Sequence, residues 1–247
     1  MTLFSRPHVL RHPEQIHPAL WRGSQLARPC QKTISTGYQQ LDAQLPGKGW
    51  PMGALIEIMS AHPGMGEIQL LKPALTHLEA GGSISLVNPP YIPSASCLEH
   101  WFSGKHKVYW IKSDTPRNTL WATEKILQHN ASAALLCWIN AVHPASLRRL
   151  HLAARQSQAL FFSLRPASAA NETSIAPLRL NLEPSASGLD VIVIKRRGPL
   201  LNTGIRLYSS DVNQDNALTP SPSHDSLDQH LPEQPLPERC FTTLAKQ

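Results

Sequence analysis

The chemistry this chain can offer turns on two side chains at a glycine turn. Ala54-Leu55-Ile56-Glu57-Ile58-Met59-Ser60 is apolar enough for a buried strand, and it runs into Ala61-His62-Pro63-Gly64-Met65-Gly66, after which Glu67-Ile68-Gln69-Leu70-Leu71 opens a helix. A turn of this kind aims backbone N–H groups and the positive end of a helix at one spot, and that spot attracts phosphate. Nucleotide chemistry there also needs a lysine for the β- and γ-phosphates and a Ser or Thr hydroxyl for Mg²⁺. Glu67 and Ile68 stand in those places. A carboxylate repels a triphosphate. The sequence therefore predicts a degenerate P-loop at Ser60, Gly64, Gly66, Glu67 and Ile68 that takes no cofactor.

Other reactive groups are scattered. Among the twelve histidines, His8, His12 and His17 fall in a leader rich in Arg and Pro, and no HExxH pattern occurs. Exposed or helix-capping histidines are the expectation, and no metal site. The four cysteines lie far apart with no C-x-x-C pair, which predicts neither zinc nor disulfides and fits a reducing cytoplasm. Cys137 lies in an apolar run and reads as a small buried hydrophobe rather than a nucleophile. Glu124 reads as a helix-surface carboxylate. Glu57, inside an apolar strand, must be buried and paired, with a partner that sequence cannot name.

Two basic clusters remain as candidates for a partner or nucleic acid: Arg148 with Arg149, and Lys195, Arg196 and Arg197. Adjacent arginines on a helix cannot both face inward. One of the first pair can meet a carboxylate while the other meets phosphate or a partner. The second cluster fits a binding face or a solvated strand end equally well. Residues 1–210 carry 21 basic and 11 acidic side chains, whereas 211–247 carry two and six. A basic body with an acidic tail suits contact with nucleic acid or an acidic protein face, and also ordinary solvated surface.

These groups must be positioned by alternating elements. Apolar runs at 54–60, 83–88, 107–112 and 133–139 predict buried parallel strands. Helical spacing covers 66–80, about 95–103, 117–130 and 144–157, the last with Leu147, Leu150, His151 and Ala154 on one face. Strand patterns at 159–164, 178–183, 189–196 and 204–208 follow, so the sheet is expected to end in antiparallel hairpins. The fold class is α/β with a mostly parallel sheet flanked by helices. A short helix over His17–Arg28, a turn and one helical turn at 36–42, and a loop at 46–51 precede it. Residues 1–15 and 211–247 are read as disordered, the latter as an acidic Pro/Ser-rich tail that cannot support a core. No apolar run reaches membrane-spanning length and the first 30 residues lack a signal-peptide core. A soluble cytoplasmic protein without membrane contact is the expectation.

Several segments carry a resemblance. Ser35-Thr36-Gly37, Leu41-Asp42, Gly47-Lys48-Gly49-Trp50-Pro51 and Gly53-Ala54-Leu55-Ile56-Glu57-Ile58 resemble the start of the RecA core. Val191-Ile192-Val193-Ile194-Lys195-Arg196-Arg197-Gly198-Pro199 resembles the lysine-bearing strand near its end. More closely, His17-Pro18-Ala19-Leu20-Trp21-Arg22, Leu45-Pro46-Gly47, Gly64-Met65-Gly66-Glu67, Leu70-Leu71-Lys72-Pro73-Ala74-Leu75, Asn88-Pro89-Pro90, Leu120-Trp121-Ala122-Thr123-Glu124 and Leu147-Arg148-Arg149-Leu150-His151-Leu152-Ala153-Ala154 look like the ImuA family. These are bacterial RecA-like accessory factors of mutagenic translesion synthesis, related to the SulA division inhibitor. The likeness covers roughly residues 15–210.

The resemblance implies a RecA-like domain over 16–210 with its ATPase parts lost. Leu135-Leu136-Cys137-Trp138-Ile139-Asn140 offers no carboxylate for Mg²⁺, and the water-activating glutamate falls at Asn88-Pro89-Pro90. The two DNA-binding loops are trimmed to about Ala141-Val142-His143-Pro144 and to the nearly uncharged Pro166–Ala176, so nucleic-acid binding is expected to be weak or indirect. The implied function is a non-catalytic adaptor in SOS-regulated error-prone synthesis. Its implied partners are a Y-family-like ImuB-type protein, an error-prone polymerase and RecA, the last met through the loop face and the Lys195–Arg197 face. A SulA-like inhibitor of the tubulin-like division protein is the alternative. The leader and RecA-like segment 17–58, which SulA-type chains largely lack, favours the first.

Overall fold

Strand β3, Ala54–Ser60, is buried along its whole length and lies in the middle of an eight-stranded sheet. The computed structural model describes residues 32–79, 81–102, 104–186, 188–198 and 204–208. The expectations for His17–Arg28, for 1–15 and for 211–247 lie outside these.

A two-stranded ribbon comes first, β1 Thr33–Ile34 against β2 Trp50–Pro51, with helix α1 Gln39–Gln44 between them. The loop expected at 46–51 thus ends in a strand that two residues of pairing were too short to announce. After β3 come α2 Glu67–Thr76, β4 Ser83–Val87, α3 Ala95–Phe102, β5 Lys107–Ile111, α4 Pro116–Gln128, β6 Ala134–Trp138, α5 Pro144–Ser157 and β7 Leu160–Pro166. A 3-10 turn, Ala167–Asn171, leads to β8 Leu178–Ser185, β9 Gly188–Lys195 and β10 Ile205–Tyr208. The sheet order is β10-β9-β8-β3-β7-β6-β4-β5. Strands β3 to β8 run parallel to one another, and β9 and β10 close the sheet as antiparallel hairpins beside β8. The α/β class with a mainly parallel sheet, flanking helices and antiparallel hairpins is as the alternation predicts.

Strand alternation divides the core in two. Ile56, Ile58, Phe162 and Leu180 face α2, meeting Leu70, Leu71, Ala74 and Leu75. Trp50 closes this layer edge-on to Phe162, ring centres 5.3 Å apart. Leu55, Leu135, Cys137 and Phe161 face the other way, against Leu147, Leu150, Ala153 and Ala154 of α5. Pro73 lies inside α2 and is buried. A Cβ on Gly37 (φ +85°) would fall 2.2 Å from the Pro73 Cβ, so only glycine fits there.

The helix ends follow local chemistry. Thr115 Oγ1 accepts from the Asn118 N–H ahead of Pro116, and His143 Nδ1 accepts from the Ala145 N–H ahead of Pro144. Helix α2 stops at Thr76 rather than near 80, where His77 turns its ring onto the Pro73 carbonyl. Among the described residues no helix is long and apolar enough to cross a membrane.

Candidate functional site

The turn after β3 lies at the carboxyl ends of the parallel strands, the side on which open α/β sheets bind ligands. Gly66 caps α2 in the left-handed region, φ 99°, which a Cβ would strain. Glu67, the first residue of α2, then folds its side chain back into the turn. Its Oε1 accepts the Gly64 N–H at 2.6 Å, and the residue is 3% exposed. Its Oε2 is buried without a hydrogen-bond partner. Among the described residues no lysine or arginine forms an ion pair with it.

The field of a helix N-terminus stabilises negative charge, and this loop supplies that charge itself. A carboxylate in the turn accepts a backbone N–H that would otherwise face an incoming anion. Two unit charges about 4 Å apart repel by about 4 kcal/mol at an effective dielectric near 20. Ile68 packs on the core and offers no hydroxyl. Ser60 is buried at the end of β3. The turn is more closed than its sequence implied, because Glu67 is buried inside it.

Glu57 has two partners. Arg165 Nη1 donates to its Oε1 at 3.0 Å and Arg179 Nε to its Oε2 at 2.7 Å. Arg165 Nη2 continues to Glu172 Oε2 at 2.7 Å. Arg179 also donates to the carbonyls of Ala169 at 2.6 Å and Glu172 at 2.9 Å. Lys195 Nζ donates to the Ser174 carbonyl at 2.7 Å. Three cations thus fasten the short segment between β7 and β8 onto the sheet, and two guanidiniums balance two carboxylates. Arg165 and Arg179 escaped the sequence reading. The signal was there: each is a lone cation in a strand, as Glu57 is a lone carboxylate.

Of the remaining candidates, Arg196 donates to the Gln44 carbonyl and Arg149 pairs with Glu124. Arg148 and Arg197 are exposed. Lys195 and Arg196 therefore have structural ties on opposite sides of the strand end, which is not the freely solvated cluster that its sequence allowed. The strand end at Trp138 leads to an exposed Asn140, and the Asn88 N–H donates to Ile111 O at 2.7 Å. Cys137 is buried and its thiol is pushed up to about 12 by burial, against a hydrogen bond with Thr123 that lowers it. That thiol is no nucleophile near neutrality.

No protein-family model and no curated protein matches this chain.

His151 connects α5 to this region. Its Nδ1 accepts the Leu55 N–H at 3.4 Å, which requires that nitrogen to be unprotonated. Burial holds the imidazole below its usual value of 6.5, and the charges of Arg155, Arg197 and Lys195 push the same way. A lowered pKa in the folded state means that unfolding takes up a proton. The associated stability is present above about pH 6.5 and is lost as pH falls through the folded-state value. His151→Gln is expected to reduce the fall in thermal midpoint between about pH 7 and about pH 5. Unchanged pH dependence would remove His151 from that role.

Proposed function

We propose that this protein is a non-catalytic RecA-like accessory factor of SOS-regulated, error-prone translesion synthesis. It acts as an adaptor to a Y-family-like ImuB-type protein, a mutagenic polymerase and RecA. The observation that carries the non-catalytic part is Glu67. A glycine turn placed to receive phosphate is filled by its own carboxylate, with no Mg²⁺-binding hydroxyl at Ile68. The residue matches quoted for the ImuA family support the adaptor part, and the central place of β3 in a mostly parallel sheet is compatible with a RecA-like core. The fastened segment between β7 and β8, where a RecA protein carries a DNA-binding loop, supports protein contact over filament-like DNA capture.

The test has two arms. Purified protein is expected to show no Mg²⁺-dependent ATP turnover, and the pair Glu67→Lys with Ile68→Thr is expected to restore none, because Asn88 and Trp138 still supply no carboxylate. Turnover by the unmodified chain, abolished at Glu67, would overturn the non-catalytic reading. The second arm measures affinity for RecA filaments, for the ImuB-type protein and for the tubulin-like division protein. Binding to the last alone would replace the translesion role by division inhibition.

A further inference from the structure

Helices α4 and α5 pack side by side on one face of the sheet. Thr119, Thr123 and Leu127 of α4 and Leu147, Leu150, Ala153 and Ala154 of α5 are buried. Their outer surface carries an exposed aromatic ring. Trp121 stands 61% exposed, with most of its indole open to solvent. It borders a groove of about 390 Å³ between the two helices, shared with Arg117, Glu124, Ser146 and Arg149. The groove's one carboxylate, Glu124, is already matched to Arg149. The two helices together carry Arg117, Lys125, Arg148, Arg149 and Arg155 against Glu124 alone. Both follow parallel strands and run back along the sheet, so their N-termini lie at the same end. Arg117 and Ser146 occupy the first turns, where the helix field is positive.

A flat aromatic ring open to solvent, flanked by cations that exceed the nearby acids, is the combination that holds single strands: bases stack on the ring while arginines meet phosphates. We propose that the outer face of α4 and α5 binds single-stranded nucleic acid, with a base stacked on Trp121 and the backbone held by Arg117 and Arg148. An acidic protein segment is the competing occupant, since Trp and Arg also anchor protein interfaces, and the experiment below separates the two. Duplex is disfavoured because its bases are not free to stack on a side chain. This site is separate from the loop at Glu67 and stands whether or not the adaptor reading holds.

The experiment is fluorescence anisotropy of a labelled oligothymidylate with the full chain, titrated at several salt concentrations. Trp121→Ala is expected to weaken binding about ten-fold, with Trp121→Phe keeping most of the affinity. The pair Arg117→Ala with Arg148→Ala is expected to lower the slope of log affinity against log salt by about one to one and a half. These side chains are exposed, so the thermal midpoint should hold. If Trp121→Ala lowers it, the arginine pair decides, as those changes remove no buried contact. Absence of oligonucleotide binding, or binding indifferent to both sets of changes, overturns the proposal. So does displacement by polyglutamate as effective as by unlabelled oligonucleotide, which would make the surface a site for acidic protein.

Discussion

Glu57→Ala is expected to destabilise the domain by about 3–5 kcal/mol, the cost of removing one partner from a buried ionic cluster. The magnitude comes from what is left behind. Arg165 and Arg179 are almost wholly buried, and each directs a guanidinium N–H at a Glu57 oxygen. Without that carboxylate two positive charges share only Glu172, whose side chain is half exposed. For a domain of this size each kcal/mol lowers the thermal midpoint by about 2–4 °C, so a fall of roughly 6–20 °C is expected. Glu57→Gln keeps the shape but not the charge and should lie between wild type and alanine. Amide exchange over 167–176 is expected to quicken in both variants, since Arg165 and Arg179 fasten that segment. A midpoint shift below about 3 °C for the alanine variant would mean that the cluster contributes little and that packing alone holds the turn. Replacing all the charged members by apolar residues is a different experiment and can be neutral.

The sheet was legible because a buried parallel strand has only one way to look. Residues 54–60 form an apolar run broken only by Glu57 before its closing Ser60, and the helix that spans 144–157 shows its inward face every three or four positions with Pro144 at its first turn. Elements that depend on distant partners were not legible. Strand β2 is two residues, Trp50–Pro51, paired with Thr33–Ile34, and no period exists in so short a stretch. The partners of Glu57 are 108 and 122 residues away in sequence. Its burial was readable from the strand, but its pairing required knowing that β7 and β8 flank β3. Arg148 and Arg149 illustrate the same limit. That one would meet a carboxylate follows from helix geometry, and that the carboxylate is Glu124 follows only from the packing of α4 on α5. The loop shows a third case. The glutamate was evident in the sequence, but its inward turn onto the Gly64 N–H depends on Gly66 adopting a left-handed conformation.

Removing the Glu67 carboxylate should open the turn to an external anion. In Glu67→Ala the Gly64 N–H and the first turn of α2 lose their internal anion, while the turn keeps Gly66 and its direction. A backbone of this form is expected to accept inorganic phosphate. The affinity will be modest, because no lysine closes over the ligand. Ligand at about a hundred times its dissociation constant stabilises a fold by about 2.7 kcal/mol, which corresponds to roughly 5–11 °C in thermal midpoint for a domain of this size. The measurement is the midpoint of wild type and Glu67→Ala across a phosphate series at constant ionic strength, with chloride as the reference anion. Wild type should respond to phosphate only as it responds to chloride, since its own carboxylate fills the turn. The variant should begin below wild type, by the cost of one charge-assisted hydrogen bond of about 1.5–3 kcal/mol, and rise past its chloride value as phosphate is added. Identical phosphate responses in the two proteins would show that the turn does not have an anion-receiving geometry. In that case Glu67 would be a helix-capping carboxylate and nothing more.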